Sequence, residues 1–301
     1  MSRGTPKPLS GFPEFLPAQR EVERQVVEAL SRTFELHGFA NIETRAVEPL
    51  DQLLRKGDTS KEVYLLRRLQ ESEEEGRSAN GVGLGLHFDL TVPFARYVLE
   101  NAGKLEFPFR RYQIQKVWRG ERPQDGRFRE FVQADIDIVG QGELPFHHDV
   151  EVTRVMLHAL GTLTRPDSIG LPGFTLQVNN RKLIQGFYLG LGISEDGGGV
   201  ESTMRVIDKL DKMPEAKIRE LLRDEAGLDD EQVDQCLALA AISTEDESFA
   251  DQVRALGVTH TLLDEGLDEL SALVRACAPL ADDRVRIRAE LKIARGLDYY
   301  T

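Results

Sequence analysis

The sequence predicts an α+β fold, in which an antiparallel sheet is flanked by helices and carries a helical insertion. Two alternating segments, 111–118 and 131–139, bracket a polar stretch with turn-forming proline and glycine, as two strands joined by a loop would. Apolar residues recur every three to four positions over 18–36, which indicates an amphipathic helix. From 195 to 285 the pattern is helical and acid-rich, and this segment is the predicted insertion.

The remaining elements follow in chain order. The first helix ends at Gly38, a typical helix stop. Between the first helix and the insertion, the other predicted elements are strands around 42–47 and near 84–90, a helix from about 92, the two strands already named, a helix near 149–162 and a strand at 174–178. The domain prediction is therefore a core over 1–194, the insertion over 195–285, and a return to the core over 286–301.

Composition narrows the class of protein. The 301 residues are 41% hydrophobic, enough for one large domain or two smaller ones. The net charge of −13 offers no global basic field for nucleic acid or membranes. Cys236 and Cys277 lie in predicted helices and are expected to be buried free thiols, as in reducing cytosol. No apolar leader or membrane-length segment occurs, so the prediction is a soluble, cytoplasmic protein with neither a membrane nor DNA as partner.

Cations are concentrated in one place. The stretch "VWRGERPQDGRFREF", residues 117–131, holds four arginines and three acids, and residues 101–130 hold eight Lys or Arg against four acids. Guanidinium groups match phosphate oxygens bidentately, so a polyanion is one interpretation. A loop of weak surface ion pairs is the other. Charge alone does not separate the two.

The strand after this stretch has two unlike faces. Side chains alternate along a strand, so Phe131, Gln133, Asp135 and Asp137 share one face and apolar residues the other. The same alternation places Asp89 and Thr91 together on a strand. Carboxylates on two strands predict one acid-lined pocket, because such groups are costly to bury without water or a ligand. A solvent-facing sheet surface is the plainer alternative.

The spacing of these residues resembles a known motif. Arg119-x-Glu121, a loop and Arg127-x-x-x-Phe131 resemble the second signature motif of class II aminoacyl-tRNA synthetases. Further stretches narrow the resemblance to histidyl-tRNA synthetases: "LHFDLTVPFARY", "VNNRKLIQGF" and the terminal "ARGLDYYT". The resemblance runs from "GFPEFLP" to the last residue. It implies a class II synthetase-type sheet, with motifs 1 and 2 in the first part of a catalytic core.

The resemblance also implies an activity and its nucleotide site. Such an enzyme activates L-histidine with ATP and then transfers the histidyl group to the 3′ end of tRNA(His). Arg119 would hold the α-phosphate and the reacting carboxylate, and Arg295 would supply a second cation there. Glu121 would face an adenine, Arg127 would grip the outer phosphates, and Phe131 would stack on the adenine. Mg²⁺ would bridge pyrophosphate oxygens, with no protein-held metal site.

Histidine recognition is implied by a second set of residues. Asp89, Thr91 and Gln133 match those that hold the α-ammonium group. Asp137 and a tyrosine of "YY", Tyr299 or Tyr300, match the pair that recognises the imidazole. A carboxylate and a phenol can satisfy both ring nitrogens, and a pocket built on hydrogen bonds rejects side chains that lack them.

The sequence departs from the family pattern in three places. Arg45 stands where the first motif usually has a proline, so the expected homodimer has no matched residue behind it. His87 stands where an arginine is common. The sequence given also stops after "LDYYT", before a third motif and any anticodon-binding domain. We therefore expect either a fragment, incomplete and inactive alone, or a shortened relative.

Two rival functions stay open at this stage. A synthetase-like regulatory subunit of ATP phosphoribosyltransferase also lacks an anticodon-binding domain. The nucleotide-gripping set favours the enzyme, because a histidine sensor has no need to hold ATP. A plain RNA-binding module would need a basic face that the overall charge does not supply. The run "HHDVE" from His147 is interpreted as a helix start and not as a metal site, since adjacent side chains diverge.

Overall fold

The computed structural model describes residues 7–56, 61–68 and 83–293. The chain divides into two compact units, 1–145 and 146–301. Each unit is described by itself. The division predicted from the sequence, with boundaries at 194 and 285, stays a prediction.

The first unit combines short strands with three α-helices in its described residues. Its elements are α1 (Pro17–Leu36), β1 (Ala40–Asn41), β2 (Val47–Pro49), α2 (Leu50–Leu53), β3 (Tyr64–Leu66), β4 (Leu84–Leu86), α3 (Thr91–Asn101), β5 (Phe109–Trp118) and β6 (Glu130–Val139). Single 3-10 turns follow α2 and α3, at Leu54–Lys56 and Ala102–Lys104.

A long antiparallel hairpin dominates this unit. β5 and β6 pair over their whole length, from Phe109 opposite Val139 to Trp118 opposite Glu130. β1 adds to β5 in parallel, and β2, β4 and β3 form a second, antiparallel sheet. The predicted strand–loop–strand and the α+β class are confirmed.

Helix α1 covers part of the hairpin. Its predicted bounds, 18–36, agree with the structure to within one residue. The Phe34 ring lies 5.5 Å from that of Tyr112 on β5. The Tyr112 hydroxyl donates a hydrogen bond of 2.7 Å to Glu35. The helix therefore stabilises the sheet through an aromatic contact together with a hydrogen bond.

Two predicted strands are shorter than expected. The prediction of a strand around 42–47 was wrong for residues 42–46, which are not part of a strand. Here the Thr44 carbonyl accepts a hydrogen bond from the side-chain amide of Gln115 on β5, where a strand would have a backbone donor. The strand near 84–90 ends at Leu86, because the chain turns at 88–90 to begin α3. Local alternation does not reveal such side-chain substitutes for strand pairing.

The second unit is mainly helical. Its elements are α4 (His147–Thr164), β7 (Phe174–Val178), α5 (Arg181–Gly190), α6 (Gly199–Ile207), α7 (Glu215–Asp224), α8 (Asp230–Ala240), β8 (Ser243–Thr244), α9 (Ser248–Ala255), α10 (Thr261–Cys277), a 3-10 turn (Ala278–Leu280) and β9 (Val285–Glu290). β9 lies between β7, parallel to it, and β8, antiparallel to it. The helix predicted to start within "HHDVE" is confirmed as α4.

The core of this unit is built around a close crossing of α5 and α10. Gly186 and Gly266 lie at the crossing, and both are buried. A Cβ on Gly186 would overlap the backbone nitrogen of Leu263, and one on Gly266 would overlap that of Leu183. The two backbones approach this closely because neither glycine has a side chain.

The predicted state of the cysteines is confirmed. Cys236 of α8 and Cys277 of α10 are buried and not in a disulfide. Burial raises the pKa of the Cys236 thiol to about 12. Within the described ranges, no helix is both long and apolar enough to cross a bilayer.

Candidate active site

The hairpin brings the predicted pocket residues onto one sheet face. Residues directly opposite each other on paired strands lie on the same face. The opposed pairs on this face are Arg111 with Asp137, Gln113 with Asp135, Gln115 with Gln133, and Val117 with Phe131. Six of these eight side chains are polar or charged, so the acid-bearing face of β6 meets a polar face on β5.

Arg119 lies at the end of β5, where the hairpin loop begins. Its Nε donates to the Phe88 carbonyl at 3.1 Å. Its Nη2 donates to Oε1 of Gln133 at 3.3 Å. The guanidinium carbon also lies 5.1 Å from the centre of the Phe131 ring, in a cation–π arrangement. Three residues predicted to share a site, Arg119, Phe131 and Gln133, are therefore in contact.

Gln133 links this arginine to a carboxylate. While its amide oxygen accepts from Arg119, its Nε2 lies 3.0 Å from both carboxylate oxygens of Asp135. These bonds fix which end of the amide faces which neighbour. The sequence analysis placed Asp135 on this face but not in the site. In the structure it accepts hydrogen bonds from Gln133 and so helps to orient that amide.

Asp89 and Thr91 lie beside the hairpin, but not on a strand. Thr91 is the first residue of α3, and Asp89 accepts a hydrogen bond of 3.1 Å from the backbone nitrogen of Val92. The alternation argument that put both on one strand was therefore wrong. Asp89 is buried. The carbonyl of Phe88, between His87 and Asp89, is the one that Arg119 contacts, so this turn adjoins the arginine.

Asp137 is paired with a cation that the sequence analysis missed. Nη2 of Arg111 lies 2.6 Å from Oδ2 of Asp137, and the arginine side chain is fully buried. Burial raises the pKa of Asp137, and the Arg111 guanidinium opposes that rise. Strand alternation over 109–118 was the signal that could have found Arg111, since it shares a face with Gln113 and Gln115.

The hairpin loop carries the remaining predicted nucleotide contacts. Glu121 and Arg127 are exposed. The loop is closed by backbone bonds between Gln124 and Arg127 in both directions, at 3.0 and 3.2 Å, with Gly126 at a φ of 71°. Exposed side chains on a tight loop at the rim of the polar face remain able to reach a ligand. Arg295, Tyr299 and Tyr300 lie outside the described residues.

An ion network holds helix α3 in place. Glu48 of β2 is fully buried, and the guanidinium of Arg96 on α3 donates to both of its carboxylate oxygens, with Nε at 2.9 and 3.0 Å. Arg45, at the position where the family usually has proline, also reaches Glu48 at 3.0 Å. Removing one partner of a buried pair is strongly destabilising, so this network positions the helix whose first turn follows Asp89.

His87 is buried between β4 and β5. Its Nε2 lies 2.7 Å from the Lys116 carbonyl, so the ring donates a hydrogen bond there. Its ring centre is 5.5 Å from that of Trp118. Burial lowers the pKa of His87, against smaller opposing effects of the Lys116 carbonyl and the Asp89 carboxylate. These contacts tie His87 to β5.

We expect His87 to make folding stability fall in mild acid. Its folded pKa lies below the unfolded value of 6.5, so the unfolded chain binds the proton first as pH drops. The contribution of neutral His87 to the free energy of unfolding is complete above about pH 6.5, and it is lost as pH falls toward the pKa of the folded state. Urea unfolding followed by circular dichroism from about pH 7.5 to 5.5 measures it. His87→Asn should flatten the decline, whereas exposed His147→Asn should not; an unchanged decline in His87→Asn contradicts the assignment.

Comparison with known proteins identifies the family. A sequence model described as histidyl-tRNA synthetase matches residues 11–301. This chain belongs to the histidyl-tRNA synthetase family. A curated histidine–tRNA ligase of Micrococcus luteus is 58% identical over an alignment 300 residues long, which covers 97% of this chain and 63% of the relative. The family resemblance predicted from the motifs is thus confirmed.

Solved structures agree with the fold of this histidyl-tRNA synthetase family member. The crystal structure of histidyl-tRNA synthetase from Nostoc sp. PCC 7120 matches with a TM-score of 0.80 at 33% identity, over 100% of this chain and 64% of that one. A structure from Bacillus halodurans C, described as an ATP phosphoribosyltransferase regulatory subunit/histidyl-tRNA synthetase, matches with a TM-score of 0.76 at 19% identity, over 98% of this chain and 70% of that one. The second likeness shows the fold alone.

This synthetase-family chain spans about 63% of the length of the curated relative. The class II synthetase-type α+β fold predicted from the sequence is confirmed by these matches.

Proposed function

We propose that this chain provides the amino-acid-activating site of a histidine–tRNA ligase. The reaction joins L-histidine to the α-phosphate of ATP, releasing pyrophosphate, and then passes the histidyl group to the 3′ end of tRNA(His). One observation carries the proposal: Arg119 contacts Gln133, lies over Phe131 and binds the carbonyl before Asp89. Residues assigned to phosphate, adenine and the amino group of histidine thus converge on one guanidinium.

The chemistry asks the protein for alignment and charge stabilisation. The histidine carboxylate attacks the α-phosphorus of ATP, and the bond from that phosphorus to the bridging oxygen of pyrophosphate breaks. A guanidinium that touches both groups would lower the cost of bringing two anions together and stabilise the charge that builds up on the phosphate oxygens. Arg119 is prepared for this role, because the bonds to Gln133 and the Phe88 carbonyl fix its orientation before ligands arrive.

The histidine side of the site would use the polar face of the hairpin. Gln133 and Asp89 would hold the α-ammonium group with Thr91, and Asp137 would accept a hydrogen bond from the imidazole. Arg127 and Glu121 on the loop would contact the nucleotide, as would Phe131. Arg295 and one of Tyr299 and Tyr300 would complete the set.

Magnesium fits this site as a companion of the nucleotide. Among the described residues, no three His, Cys, Asp or Glu side chains are grouped as a metal cage would need. Mg²⁺ is commonly held by substrate phosphates with one or two carboxylates, which suits an ATP-bound ion. When bound, it would neutralise charge on the leaving pyrophosphate.

The expected partners follow from the same proposal. They are L-histidine, ATP and tRNA(His), with a second copy of the chain as in a homodimer, in the cytoplasm, where these substrates occur. In the acidic helical segment, 195–285, acids outnumber cations, so it contributes little to any tRNA affinity.

Histidine-dependent exchange of pyrophosphate into ATP tests the proposal. We would assay the 301-residue chain and a chimaera in which the unmatched remainder of the Micrococcus luteus relative follows Thr301. Exchange by the chain alone, or by the chimaera only, supports the proposal. If both fold but neither exchanges, while the chain binds histidine in calorimetry, the regulatory function is favoured instead.

A further inference from the structure

Arg111 is the largest fully buried side chain among the described residues, and nothing in the proposed reaction assigns it a role. It lies on the polar face of the hairpin, directly opposite Asp137, in the opposed polar pair farthest from the loop. Its guanidinium carbon is 4.1 Å from the centre of the Phe94 ring on α3. The cation is therefore held between a helix and the hairpin, with its Nη2 2.6 Å from Oδ2 of Asp137.

The pair holds Asp137 by one oxygen. Oδ2 is buried, yet 33% of the Asp137 side chain is exposed. The exposed part therefore belongs to its other atoms, which leaves Oδ1 as the oxygen that can accept a hydrogen bond from a ligand. The ion pair thus tethers one carboxylate oxygen and leaves the other for a ligand.

The electrostatics of Arg111 extend across the pocket. Burial lowers the pKa of Arg111, and three carboxylates oppose this, in the order Asp137, Asp135 and Asp89. Asp137 and Asp135 lie on β6, and Asp89 lies just before α3. Each carries a role in the proposed histidine site or contacts a residue that does. One buried cation thus balances three acids that would otherwise repel one another.

The alternative is that Arg111 and Asp137 form an ion pair that serves only the stability of the fold. Replacing a buried ion pair with neutral residues of similar volume often costs nothing, so a pair that served only stability would be weakly justified here. Within the described part of the chain, none of the three guanidinium nitrogens of Arg111 has a hydrogen-bond acceptor, so its contact with Oδ2 of Asp137 is an ion pair without hydrogen-bond geometry. The unfavourable free energy of burying Arg111 with unsatisfied nitrogens is therefore found at the proposed pocket and not in a remote core.

We infer that Arg111 is a positioning residue for histidine specificity: it pairs with Oδ2 of Asp137 and so leaves Oδ1 to accept a hydrogen bond from the imidazole N–H. The inference rests on the proposed function, because the imidazole role of Asp137 belongs to it. Arg111 touches no substrate. Its effect should therefore appear in histidine recognition and not in nucleotide binding.

The kinetics of pyrophosphate exchange test the role of Arg111. They are measured in the 301-residue chain or in the chimaera, whichever shows exchange. Arg111→Gln should raise the KM for histidine at least about 10-fold with the KM for ATP within about 2-fold of the parent. The acid limb of kcat/KM for histidine should move to higher pH by about 1 unit or more, because the cation that opposes protonation of Asp137 is gone. Arg110→Gln, on the opposite face of the same strand, is the matched control and should change neither.

A double-mutant cycle separates positioning from general damage. In an Asp137→Asn background, Arg111→Gln should have no further effect on the KM for histidine, since it acts through that carboxylate. If Arg111→Gln unfolds, the double variant Arg111→Met, Asp137→Asn removes both charges of this pair and decides the matter: its KM for histidine should equal that of Asp137→Asn alone. Equal losses for histidine and ATP, or additive effects in the cycle, overturn the inference. An inactive parent instead refutes the proposed function.

Discussion

Replacing Arg119 with alanine is expected to abolish histidine-dependent pyrophosphate exchange while the chain stays folded. The guanidinium contacts a backbone carbonyl, Gln133 and the Phe131 ring, so no neighbouring group can substitute for it. Loss of one preorganised donor to a developing charge costs about 100- to 1000-fold in rate. We expect at least that loss here, measured at saturating histidine and ATP in the form that exchanges.

The control for this variant is an arginine three positions away. Arg122 is exposed in the hairpin loop, and nothing assigns it a ligand. Arg122→Ala removes the same charge from the same stretch and should exchange at the parent rate. Circular dichroism melts of both variants establish that the fold persists. Near-normal exchange in Arg119→Ala would show that its role has been misassigned.

Gly186→Ala is expected to cause a large loss of stability in the second unit. Alanine in a helix interior is normally worth about 1 kcal/mol more than glycine. Here the added methyl overlaps the backbone of α10 at Leu263, and backbone cannot rotate away as a side chain could. Overpacking of this kind costs about 3 kcal/mol. This loss exceeds the gain in helix propensity, so the net change in the free energy of unfolding is destabilising. Thermal unfolding followed by circular dichroism should show a midpoint lower by roughly 6 °C or more.

A second helical glycine supplies the comparison. A Cβ on Gly161 of α4 would meet only Val285, at 3.4 Å, which is close to an ordinary contact. Gly161→Ala should therefore melt at the parent temperature or slightly above it. Gly266→Ala should behave like Gly186→Ala, because it clashes with the other helix at the same crossing. Stabilisation by either crossing variant would mean that the helices can separate at little cost.

The hairpin could be predicted from sequence because its signal is local. Alternation over 131–139 places Gln133 and Asp137 on one face, and the register in the structure keeps them there. The grouping of Arg119 with Phe131 and Gln133 could also be predicted, because these residues belong to a motif of fixed spacing whose two strands are joined by a single loop. Both features depend on neighbours along the chain.

The parts that were missed depend on residues far apart in sequence. The placement of Asp89 and Thr91 was misjudged, because the chain leaves β4 to bond with β5 instead of continuing as a strand. Arg111 was counted only as one cation in a patch. Its burial follows from Phe94 and Asp137, which lie 17 positions before it and 26 after it. No window of local sequence shows that a charge will be enclosed from both sides.

The only tryptophan in the sequence has a practical consequence through its place in the fold. Trp118 ends β5, next to Arg119, and stacks near His87. Excited at long ultraviolet wavelengths, the protein would emit from this one indole, which directly precedes Arg119, the residue proposed to bind the α-phosphate. Titration with ATP or histidine can therefore be followed as an intrinsic optical change in the hairpin, without a label and without a contribution from tryptophan in the helical unit.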